Sequence, residues 1–106
     1  MDTIRQNVLE AGDMSGNVTS EPITLNNIEH LAVKADWTGT PTGTLFLECS
    51  TDNVDWFELD NVALAGVADS QLWIDKNASY RWARVRYSFT AGVGNLNVHA
   101  IKKGDK

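Results

Sequence analysis

At 106 residues and 11.7 kDa the chain has room for one domain with one core, and none for a second. Its 42% hydrophobic and 22% charged residues are those of a globular fold and exclude wholesale disorder and low-complexity classes. Nine Lys and Arg against fourteen Asp and Glu leave a net charge of -5, which argues against a nucleic-acid partner held by phosphate neutralisation.

The first 27 residues differ in kind from the rest. Ile4, Val8 and Leu9 have helical spacing, but Gly12 and Gly16 cut the pattern short, so Thr3 to Ala11 is read as an extended strand or arm. The segment MDTIRQNVLEAGD is charged where a signal peptide needs an uninterrupted apolar run, and no apolar stretch is long enough to span a membrane. Asn17-Val18-Thr19-Ser20 and Ile23-Thr24-Leu25 then read as short strands around Pro22.

From residue 28 the period is two. In IEHLAVKADW, Leu31, Val33, Ala35 and Trp37 share the face expected to be buried. Gly39-Thr40-Pro41-Thr42-Gly43 is read as a hairpin loop leading into a strand at Thr44 to Ser50, with Leu45, Leu47 and Cys49 inward and Phe46 stranded among Thr44, Glu48 and Ser50. Thr51 to Asp55 reads as a turn, Trp56 to Leu59 as a short strand, Asn61 to Asp69 as a loose stretch and Gln71 to Asp75 as another strand. A turn at Lys76 to Ser79 precedes the strongest strand, Tyr80 to Phe89, where Ala83, Val85, Tyr87 and Phe89 oppose Trp82, Arg84, Arg86 and Ser88. Thr90 to Gly94 is read as the loop of a second hairpin leading to Asn95–Ile101. Seven or eight short strands with alternating faces predict an all-β fold, an antiparallel β-sandwich of jelly-roll-like or Ig-like topology. Its parts are an arm or first strand over 1–15, one sandwich domain over 16–104 and a tail at 105–106.

Catalytic constellations are not visible. His30 and His99 lie in strand-like segments with no nucleophile motif around them, and the single cysteine, Cys49, is read as a small core hydrophobe. Asp52, Asp55, Glu58 and Asp60 lack the glycine and the alternate-residue ligands of an EF-hand loop. The reading is therefore of a non-enzyme with no catalytic, cofactor-binding or metal residues. What stands out is suited to contact. Trp82, Arg84 and Arg86 form one row, whose arginines either pair with acidic neighbours across the sheet or contact a partner; Phe46 and Ile101 are apolar on outer faces, and Ile4, Val8 and Leu9 have no evident place in a sandwich. These eight residues are the expected interface, with the arm adding a strand to a neighbour. Tyr80 and Trp82 are the aromatic platforms of the alternative, a glycan-binding or host-attachment module.

Four motifs carry a family resemblance. Trp37-Thr38-Gly39-Thr40-Pro41-Thr42-Gly43-Thr44-Leu45, Ser50 to Trp56 with its S-x-D-x-x-x-W spacing, Tyr80 to Tyr87, and Gly92-Val93-Gly94-Asn95-Leu96-Asn97-Val98 followed by Lys103-Gly104 resemble small β-sandwich structural proteins of bacteriophages. The resemblance spans about residues 18 to 104 and rests on turn and core residues. It implies a virion component of capsid, vertex or tail, made in the host cytoplasm, and homo-oligomeric or docked on other virion proteins.

Overall fold

The computed structural model describes residues 3–25, 28–75 and 80–104; the turn expected at Lys76 to Ser79 and the tail at 105–106 lie outside the described residues. Nine strands are present among them: β1 (Thr3–Asp13), β2 (Val18–Thr19), β3 (Ile23–Thr24), β4 (Ile28–Trp37), β5 (Thr42–Ser50), β6 (Phe57–Ala65), β7 (Asp69–Asp75), β8 (Trp82–Ala91) and β9 (Asn95–Gly104). They form the antiparallel sandwich that the alternation predicts. One sheet has the order β1-β9-β4-β7, and the other the order β2-β8-β5-β6 with β3 also on β8.

The core is the sum of the inward rows. Leu31, Val33, Ala35 and Trp37 of β4 and Leu96, Val98 and Ala100 of β9 meet Leu45 and Leu47 of β5 and Ala83, Val85 and Tyr87 of β8. Each fully buried Leu or Val contributes about 1.5–3 kcal/mol relative to exposure. Two polar groups inside are satisfied by the backbone: the Trp37 indole donates to Val67 O (3.0 Å) and the Tyr87 hydroxyl to Thr42 O (3.0 Å). Phe89, expected on the inward row, lies beyond Tyr87 near the end of β8 and is exposed.

Both expected hairpins prove to be crossings between sheets. β4 lies between β9 and β7, whereas β5 lies between β8 and β6, so residues 38–41 carry the chain from one layer to the other; residues 92–94 do the same between β8 and β9. Gly and Pro mark a reversal in sequence without saying which layer the next strand joins. The two crossings are zipped together, Thr38 N–H donating to Asn95 O (3.0 Å) and Thr40 N–H to Val93 O (2.7 Å). Gly92 sits at φ +90°, and a Cβ there would collide with the Thr40 carbonyl, so glycine is required twice over. The hairpin within one sheet joins β5 to β6.

The N-terminal segment also corrects an expectation. β1 pairs with β9 from Thr3↔Lys103 to Asp13↔Asn95, so this chain's own sheet takes up the strand expected to dock on a neighbour. Val8, expected at an interface, is 3% exposed and belongs to the core, and Leu9 packs against that core half-buried. The helical spacing of these residues hid their inward orientation because β1 is bulged, with register shifts between Asn7 and Leu9 and between Leu9 and Gly12. Ala11 at φ 50° is held there by its N–H bond to Asn97 Oδ1 (2.8 Å). Glu21 N–H to Val8 O (3.0 Å) ties the strand down from the other side.

The stretch read as loose between Asn61 and Asp69 is mostly strand. β6 continues to Ala65 because Val62 and Leu64 turn inward while the small Ala63 and Ala65 face outward, and β7 begins at Asp69. Alanines and an asparagine weakened the apparent β propensity there without breaking the alternation.

Candidate functional site

The central strands of the second sheet, β5 and β8, place Phe46 opposite Arg86, Glu48 opposite Arg84 and Ser50 opposite Trp82. All six alternate with core residues and share the outer face. Glu48 takes both arginines: Arg84 Nε donates to Oε1 at 2.8 Å and Arg86 Nε to Oε2 at 3.1 Å. The carboxylate is thereby covered, leaving Glu48 only 7% exposed, whereas the two guanidinium groups remain partly in solvent. One acid meets two bases in the triad, and a second carboxylate, that of Glu58, stands opposite Glu48 on β6.

Aromatic rings flank this triad. The Arg86 guanidinium carbon lies 4.3 Å from the Phe46 ring centroid, and that of Arg84 lies 4.2 Å from the Trp56 centroid, both within cation–π range. Phe46 is thus half-buried under Arg86, which accounts for an apolar side chain on a polar face. Trp56 precedes β6 and arrives from the turn at residues 51–55. Ser50 Oγ donates to Asp52 Oδ1 (3.0 Å) and accepts from the Asn53 N–H (2.9 Å), and Asn53 adopts φ 61°. Asp52 Oδ1 accepts from the backbone N–H groups of Val54 and Asp55, both at 2.9 Å. The Asp55 N–H first, then the Val54 N–H and the Ser50 hydroxyl, hold the Asp52 carboxyl below its usual range.

The ordered run is therefore Phe46, Arg86, Glu48, Arg84, Trp56, with half-buried Trp82 on the same sheet face. No group in it is a nucleophile beside a base; what the run offers is guanidinium donors and aromatic area. The structure brings together three of the expected interface residues, Phe46, Arg84 and Arg86, and sets Trp82 close by. It separates the others: Ile101 lies half-buried on the outer face of the first sheet between Ala32 and Arg5, Leu9 is on β1, and Val8 is inside. The Ile4 side chain lies outside the described residues. The expected pairing of both arginines with acidic neighbours across the sheet is present, in one residue, Glu48, that sequence reasoning did not name, and Trp56 was missed. Glu48 was detectable, since Phe46 and Glu48 stand two apart on one strand as Arg84 and Arg86 do on the other; Trp56 reaches the site through a turn and carries no periodic signal.

His30 is exposed and His99 half-buried on the outer face of the first sheet, where burial first and then Arg5 lower the His99 pKa. Cys49 keeps register with Leu45 and Leu47 but is only half-buried. Among the described residues no group of three or more His, Cys, Asp and Glu is placed to hold a metal, and no helix is long and apolar enough to cross a membrane.

Comparison with known proteins places the chain in a family. The model described as "Uncharacterised protein YqxG N-terminal domain" matches residues 2–94. The chain belongs to the YqxG N-terminal domain family. No curated protein matches it in sequence. Among solved structures, this YqxG-type domain is similar to the SPBc2 prophage-derived protein YomS (TM-score 0.66, 11% identity, 94% of this chain and 93% of that one). It is also similar to the PBSX exported protein XepA (TM-score 0.66, 19% identity, 97% of this chain), of which it spans 38%. A third is the CBM36-1 domain of a multidomain xylanase from the hindgut metagenome of Trinervitermes trinervoides (TM-score 0.55, 8% identity, 99% of this chain and all of that one). At these identities the likeness is one of fold.

Proposed function

We propose that this YqxG-type domain is a non-enzymatic structural component of a bacteriophage or prophage-derived particle, in capsid, vertex or tail, acting through protein–protein contacts. The observation that carries the reading is its end-to-end likeness to YomS, a prophage-derived protein of matching length, supported by the partial match to the PBSX exported protein XepA. The Phe46–Arg86–Glu48–Arg84–Trp56 run supports it too. Arginine and aromatic side chains dominate contact energetics, and here they are held in fixed positions before a partner arrives. Assembly as a symmetric oligomer, or docking on larger capsid or tail proteins, follows from this role. The test is quantitative mass spectrometry of gradient-purified particles from the encoding source. Tens to hundreds of copies per particle support a shell component and a handful a vertex or tail component, whereas absence overturns the proposal.

A glycan-binding or host-attachment module is the second reading, favoured by the likeness to the CBM36-1 domain and by half-buried Tyr80 and Trp82. It predicts that Trp82→Ala abolishes binding on a glycan array while the fold persists.

A further inference from the structure

A sandwich of two open sheets has edges, and most of those here are protected. β1 is bulged twice, β2 and β3 are two residues each, and β6 carries a bulge at Leu59 together with Glu58 and Asp60. β7 has none of these protections. Its seven residues pair with β4 without a register shift, Ser70 to Ile74 carry no charge, and Leu72 and Ile74 are 55% and 65% exposed. The pairing Leu72↔Lys34 and Ile74↔Ala32 puts both on the outer face, while Trp73 points to the core.

Beside this edge the sandwich is open. Between β6 and β7 runs a groove of about 360 Å³ whose walls include Leu31, Val33, Leu47, Leu59, Trp73 and Asp60. Two features of it point to an occupant. The Trp73 indole Nε1–H is buried and has no hydrogen-bond acceptor among the described residues, a deficit that a docked carbonyl would relieve. Of the polar side chains in its wall, Asp60 is charged and Gln71 neutral, so each groove presents a carboxylate. That charge disfavours a second copy, because two like openings brought face to face would set carboxylates against carboxylates.

We propose that the β6–β7 opening is a docking groove for an extended segment of another protein, apolar at alternate positions and carrying Lys or Arg, which adds a strand to β7. Backbone pairing along β7 supplies affinity, alternate apolar side chains enter the groove, a carbonyl of the segment accepts from Trp73, and its cations meet Asp60. The inference deepens the particle role by stating the chemistry of the partner.

The test uses the full chain and two labelled peptides of about ten residues, one alternating valine with lysine and threonine, the other with glutamate in place of lysine. Fluorescence anisotropy is expected to show the lysine peptide binding about ten-fold or more tightly than the glutamate peptide, with added salt narrowing the difference. Amide NMR shifts should fall on 69–74 and on 57–64. Leu72→Lys should weaken the lysine peptide about ten-fold with the unfolding midpoint unchanged, and Asp60→Asn should reduce the preference between peptides without touching the edge. Equal binding of both peptides, no binding, shifts confined to β1 or the crossings, or a concentration-dependent dimer that protects the β7 amides would each overturn the proposal. Particle incorporation without peptide binding overturns the groove alone; peptide binding by a chain absent from particles overturns the particle role alone.

Discussion

The end of the sandwich where residues 38–41 lie against 92–94 and the edge where β6 faces β7 are opposites in construction. The first is closed by backbone: carbonyls and amides of two crossings interlock, and Gly92 leaves no room for a methyl group. The second is left open by side chains, with Phe57 64% exposed and core residues lining a groove. Rigidity is concentrated where nothing can enter, and apolar surface where something can. The Arg–Glu–aromatic face lies between these extremes, with order supplied by charge pairing over partly solvated groups.

Substitutions sharpen this contrast in order of size. Gly92→Ala should cost about 2–4 kcal/mol in urea unfolding, because a left-handed backbone and a collision with Thr40 O act together; a loss below 1 kcal/mol would show that the crossings are not interlocked in solution. Glu48→Gln leaves two partly exposed arginines without their carboxylate and should cost about 1–2 kcal/mol after allowance for solvent screening. Phe57→Ser at the open edge should change stability by less than about 0.5 kcal/mol, since its side chain is already in water. A cost as large as that of Glu48→Gln would mean that the opening is closed in solution. The smallest effect is pH-dependent. The Asp52 carboxyl is depressed in the fold, so its contribution is present above the ordinary value of 3.8 and is lost as pH falls through the lower folded value. Asp52→Asn should therefore lower stability slightly at neutral pH and flatten the acid limb, the variant and the original chain converging as pH falls below 3.8.

The same contrast separates what was legible in the sequence from what was not. The alternation of Leu31, Val33, Ala35 and Trp37, and of Ala83, Val85 and Tyr87, identified inward rows that the structure confirms as core. Period-two patterning reports which way a side chain points, and that property is local. Which sheet a strand joins is not local: β4 and β5 alternate as a hairpin would, yet belong to different layers. Bulges defeat the pattern directly, as at Val8 and Leu9, where displaced register mimicked helical spacing. At the candidate site the arginine row was visible, and so was the anomaly of Phe46. The cation–π stack that resolves the anomaly needed the register between two strands separated by more than thirty residues of chain.

The pairing of β1 with β9 constrains when this molecule can come into being. Thr3 pairs with Lys103, so β1, the first strand of this domain to be made, must wait for β9, the last of its nine described strands. Until then Val8 has no β9 beside it, and β4 lacks its central neighbour and shows an open edge to other nascent chains. The sheet is completed only once β9 is available, which makes its formation slow relative to local structure and sensitive to crowding among unfinished copies.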